Sequence, residues 1–78
     1  MRIIDLDGPD GNAFALLGTA KGWAEQLGLE YKPIQTEMMS GDYNNLCKTF
    51  QKYFGRIATL ETTNDDLAMD LYNEKENT

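Results

Sequence analysis

Four oxygen-bearing side chains crowd one short stretch: Asp5, Asp7, Asp10 and Asn12, within DLDGPDGN. Carboxylates this close suggest a hard cation first. An EF-hand loop needs oxygens at alternate positions, a central glycine and a closing Glu at the twelfth place. Counted from Asp5, Pro9 takes a ligand place, Asp10 the glycine place and Leu16 the closing place. The pattern fails, and no metal is expected. The chain has one cysteine, Cys47, and no histidine. A Cys–His nucleophile pair therefore cannot be drawn, and Ser40 has no evident base. Acid–base chemistry would rest on Asp, Glu, Lys or Tyr alone. Cys47 lies between Leu46 and Phe50 on an apolar face and reads as a buried, inert thiol.

Asp5-Leu6-Asp7-Gly8, at the end of an apolar strand, resembles the first motif of haloacid-dehalogenase-type phosphatases. In that family one Asp is the nucleophile and the next a general acid, with magnesium alongside. Pro9 stands where the family has a hydroxyl residue, and 78 residues are too few for its parallel α/β domain. The plainer expectation is a strand end followed by an acidic turn, with carboxylates near a helix N-terminus. No enzyme, no catalytic residue and no cofactor are expected.

The elements around that turn are written clearly. Arg2–Leu6 reads as a short strand, with Ile4 and Leu6 on one face and Ile3 and Asp5 on the other. Asn12 is a good N-cap. Ala13, Leu16, Leu17, Ala20, Trp23, Ala24 and Leu27 then mark the buried stripe of a helix, and Gly28 suits a left-handed stop. A second stripe, with Gly11, Ala15, Gly18 and Gly22, is small. Each interior glycine costs a helix about 1 kcal/mol against alanine. Gly18 and Gly22 are therefore expected to allow close helix packing, within the chain or across a dimer.

Pro33, Ile34, Met38 and Met39 begin a second helix that breaks near Ser40–Asp42, where Ser40 or Asp42 caps the next piece. Tyr43, Leu46, Cys47, Phe50, Tyr53 and Phe54 share one face of that piece. Ile57–Leu60 is a second strand candidate. Thr63 with Asp66 resembles a capping box ahead of a short last helix carrying Leu67 and Leu71. Asn73–Thr78 reads as frayed. The expected fold is α+β: two main helices, the second broken, on a small two-stranded sheet, with a short C-terminal helix. Residues 1–62 form the compact β-α-α-β domain and residues 63–78 the acidic helix and tail.

A chain this short buries about 60% of its unfolded surface, so any extra packing partner matters. Its net charge is −6. Residues 1–60 hold seven acids and six bases; residues 61–78 hold six acids and one base. A near-neutral body without a basic stripe argues against direct DNA binding. No apolar run is long enough to span a membrane, and the N-terminus lacks a signal-peptide layout, so the cytoplasm is the expected compartment.

GNAFALLGTAK, EMMSGDYNNL, FQKYFG and TLE resemble a class of short proteins encoded by tailed phages and prophages. The resemblance covers roughly residues 3–61 and implies a non-enzymatic protein acting in the bacterial host. A host protein would be its target, with inhibition of a host process such as antiviral defence as the outcome. A homodimer or higher oligomer is expected. Trp23, Tyr31, Tyr43 and Tyr53 would join Gly18 and Gly22 in an interface, because Tyr and Trp are common anchors. Asp65, Asp66 and Asp70 would form an acidic contact surface. The alternative is an oligomeric sponge that holds a signalling nucleotide between subunits, at the Gly18/Gly22 groove or the Asp10–Asn12 turn (Asn12 included), with Lys21 or Lys32 meeting phosphate and a Tyr stacking on the base.

Overall fold

The computed structural model describes residues 2–76, with side chains described from 2 to 72. Strand β1 (Arg2–Asp5) leads through a 3-10 turn (Pro9–Gly11) into α1 (Ala13–Leu27). Helices α2 (Tyr31–Met38) and α3 (Tyr43–Phe54) follow, then β2 (Ala58–Glu61) and α4 (Asp65–Glu76). The fold is α+β, with four helices and a two-stranded parallel sheet among the described residues. The register pairs Arg2 with Ala58 and Asp5 with Glu61. Both strands therefore begin at one end of the sheet and finish at the other.

Local chemistry accounts for the ends of the elements. The Asn12 side-chain oxygen accepts from the Ala15 amide at 2.8 Å, which caps α1. Gly28 closes α1 at φ +74°, where a side chain would be strained, and the Leu29 amide returns to the Ala24 carbonyl. Asp42 caps α3 by accepting from the Asn45 amide at 2.9 Å. The capping expectation at α4 needs correction. Asn64, not Thr63, accepts from the Leu67 amide, because Thr63 gives its amide and hydroxyl to Asp7.

The core is one cluster. Ile4 and Leu6 from the start of the chain meet Leu16, Ala20 and Ala24 of α1, and Ile34 and Met38 of α2. Leu46, Cys47, Phe50 and Phe54 of α3 fill its middle, with Ala58 and Leu60 of β2 behind them. Leu67 and Leu71 of α4 belong to the same cluster. α3 touches α1, α2, α4 and β2, so it, rather than α1, is the central helix. Thr49 is buried for the same reason. Trp23 lies 5.6 Å from Phe50 and 5.7 Å from Phe54, centroid to centroid, so α1 and α3 meet through aromatic rings.

Several expected core residues lie outside. Leu27 is exposed because it falls at the very end of α1, and Met39 is exposed because α2 ends at Met38. The expected fraying of Asn73–Thr78 concerns side chains and terminal residues outside those described, although the backbone of α4 continues to Glu76. Among the described residues, no helix is long and apolar enough to cross a membrane.

Candidate functional site

The carboxylates that first suggest chemistry are used to hold the fold. The Asp7 carboxylate accepts the Thr62 hydroxyl at 2.9 Å on one oxygen. Its other oxygen accepts the Thr63 amide and hydroxyl, both at 2.8 Å. These bonds, from Thr63 first and then Thr62, hold the Asp7 carboxyl below its ordinary value. Asp5 accepts the Asp7 amide at 2.9 Å, closing the turn on itself. Asp7 thus ties the first turn of the chain to the segment between β2 and α4, and both of its oxygens are spent on that tie. Among the described residues, no group of three or more His, Cys, Asp or Glu is placed to hold a metal ion.

An open groove of about 430 Å³ lies beside this turn, lined in part by Asp7, Gly11, Asn12, Tyr43, Thr62 and Asn64. Its polar atoms are engaged. Asn12 also donates to the Pro9 carbonyl at 2.8 Å, and Tyr43 donates its hydroxyl to the Gly11 carbonyl. Burial keeps the Tyr43 hydroxyl protonated well beyond its ordinary range. Burial also pushes the Cys47 thiol up, which leaves it a poor nucleophile. Asn12 lines the groove, but Lys21 and Lys32 do not.

The expected interface residues divide into two groups. Trp23, Tyr31, Tyr43 and Tyr53 are half-buried against the core. Tyr53 donates to Glu37 at 2.8 Å, and Lys52 reaches the other Glu37 oxygen at 2.7 Å. Lys52 and then Tyr53 hold the Glu37 carboxyl down. Tyr43 and Tyr53 stand ten residues apart on α3, about 15 Å along its axis. Gly18 and Gly22 are different. Among the described residues a Cβ on either would meet nothing within 4 Å, so no close helix packing by those residues accounts for them.

Of the acidic trio, Asp65 and Asp66 lie exposed in the first turn of α4, where they favour the helix dipole. Asp70 is turned toward α3 and accepts from Asn44 at 2.6 Å.

Two features lie outside the sequence expectations. Phe14 is 86% exposed on α1, four residues before Gly18 and eight before Gly22. A signal for it exists in the sequence: Phe14 lies off the apolar stripe and in step with the two glycines. The second is Arg2, whose guanidinium lies 5.7 Å over the Trp23 ring. That contact depends on where β1 sits relative to α1, and no local pattern carries it. Compared with known protein families, with curated proteins and with solved structures, the chain matches none.

Proposed function

We propose that this chain is a non-enzymatic protein-binding module whose docking surface is the outer face of α1. The observation that carries the reading is the line Phe14, Gly18, Gly22. Steps of four residues keep these positions on one helical face. Phe14 is almost fully exposed, and the two glycines leave bare backbone beside it. A fully exposed Phe forgoes roughly 1.5–3 kcal/mol of burial. The glycines cost α1 about 1 kcal/mol each. Nothing among the described residues offsets these costs, whereas a helix laid along the face would bury the ring and approach the bare backbone closely.

In this reading α2 and α3 are the halves of one helix broken at Ser40–Asp42. With α1 they form the two-helix body of a compact domain over residues 1–62. The resemblance to short phage and prophage proteins supports a host protein in the bacterial cytoplasm as the target, with inhibition by occlusion as the outcome. Self-association through the same face, as a homodimer or higher oligomer, is the companion expectation. Asp65 and Asp66 would supply an acidic contact beside it.

Immobilised wild-type protein is compared with Phe14→Ser and Gly18→Leu for specific capture from a bacterial lysate. Sedimentation velocity reads the oligomeric state of each. Loss of capture or of assembly in both variants, at unchanged melting temperature, supports the reading. Captured proteins and masses identical to wild type in both variants remove it.

A further inference from the structure

A second surface lies at the start of the sheet. Parallel pairing places the beginnings of both strands side by side, and the Arg2 amide donates to the Ile57 carbonyl at 3.0 Å. Arg2 and Arg56 therefore sit at the same end. The acids Asp5 and Glu61 close the strands at the other end, about 10 Å away along the strands. A groove of about 270 Å³ opens at the basic end, lined by Arg2, Trp23, Gln26, Leu27 and Ile57. Leu27 is 51% and Ile57 37% exposed. Trp23 and Leu27 from α1 and Ile57 from the segment before β2 thus turn apolar bodies toward one hollow left open by the described residues.

The charged residue in its lining is Arg2, and Arg56 adjoins the lining residue Ile57 in the chain. Among the described residues, neither Arg2 nor Arg56 has a carboxylate within ion-pairing distance. Both are cations without a carboxylate partner among the described residues, in a chain of net charge −6. The Arg2 guanidinium lies over Trp23, which orients it and leaves its donor fork for another group. Arginine and tryptophan are both enriched among the residues that anchor protein interfaces. We infer that this groove docks an extended segment of a partner protein carrying a carboxylate next to a bulky aliphatic side chain. The aliphatic side chain lies between Trp23, Leu27 and Ile57, and the carboxylate pairs with Arg2, with Arg56 adding attraction at the rim. Charge complementarity selects this occupant: a basic segment would meet two unpaired arginines, and a neutral one would leave them unmatched.

Trp23 is the one tryptophan of the chain, so its fluorescence reads the groove directly. The probes are end-blocked decapeptides that combine Glu or Asp with Leu or Ile and contain no aromatic residue. Glutamine and asparagine versions serve as controls. The expected result is saturable change in Trp23 emission, at least tenfold weaker binding of the neutral controls, and weakening by added salt. Arg2→Glu should lose binding by tenfold or more. Arg2→Gln removes the charge and, with it, the guanidinium over Trp23, so it should also weaken binding, but less than Arg2→Glu, which adds repulsion. Arg2→Lys should fall between, since it keeps charge without the fork. Phe14→Ser should bind the peptides as wild type does, which separates this groove from the α1 face. The proposal is overturned if no peptide gives saturable binding below about 1 mM, if neutral controls bind equally well, or if Phe14→Ser abolishes the signal. It is also overturned if the wild-type protein fills the groove with a second copy, seen as a dimer that Arg2→Glu dissolves.

Discussion

Asp7 and Thr63 are joined twice: one Asp7 oxygen accepts both the amide and the hydroxyl of Thr63 at 2.8 Å. The two residues lie 56 positions apart in the chain. The pair closes the path from the end of β1 to the segment before α4, and it sets which residue can cap that helix.

It also makes stability depend on acid. The folded state holds the Asp7 carboxyl below the ordinary aspartate value of 3.8. A lowered folded-state pKa contributes stability above the unfolded value that is lost as pH falls through the folded one. Glu37 has the same sign, through Lys52 and Tyr53. The melting temperature should therefore fall as pH drops below about 4. Asp7→Asn should melt lower at neutral pH and show a shallower acid limb, with the Glu37 share remaining. Thermal melts of both proteins from pH 7 to pH 2 check this, and parallel acid limbs would contradict it.

Gly11 and Gly18 should respond oppositely to alanine. A Cβ on Gly11 would fall inside the backbone of Leu6, so Gly11→Ala should cost about 1–3 kcal/mol, as overpacking does. A Cβ on Gly18 meets nothing. Gly18→Ala should stabilise the isolated subunit by up to about 1 kcal/mol. For a chain of this size each kcal/mol is worth about 4–8 °C in melting temperature. Urea titrations of both variants read the two signs. A destabilised but folded Gly18→Ala at assembling concentration would instead report the α1 contact.

The aromatic contact between α1 and α3 should dominate stability. Phe50 is buried between Phe54, 5.0 Å away, and Trp23. Phe50→Ala should cost about 3–5 kcal/mol. A domain of this length has roughly 4–12 kcal/mol in all, so the variant should lose a large share of its stability and melt well below the wild type. Trp23 emission and circular dichroism would show it.

The two ends of α1 offer smaller, separable tests. Asn12→Ala removes the cap on Ala15 and should cost about 1 kcal/mol. Gly28→Ala forces a side chain into the left-handed region and should cost about 1–2 kcal/mol. The sites are separated by the fifteen residues of the helix, so the double variant should show the sum. Chemical denaturation of the singles and the double decides it.

Much of the scaffold is legible in the sequence. Asn12, Asp42 and Gly28 mark helix ends through bonds that span three or four residues, and such bonds follow from neighbours in the chain. The alternation in Arg2–Leu6 and the apolar stripe of α3 are readable for the same reason: one buried face repeats at the element's own period. The α4 cap is not, because Thr63 answers to Asp7, far away in sequence. Nor is the centrality of α3, because its polar Thr49 faces a neighbouring element, not water.

The class of the fold, the limits of α1 and the start of α3 rest on local bonds and local periodicity, so the order of residues suffices to specify them. Tertiary structure alone decides that the strands run parallel, that Asp7 is tied to Thr62 and Thr63, and that Arg2 lies over Trp23. Each of those depends on residues brought together from far along the chain. Their meeting is set by how the helices pack around Phe50 and Phe54, a property that no short stretch of residues contains.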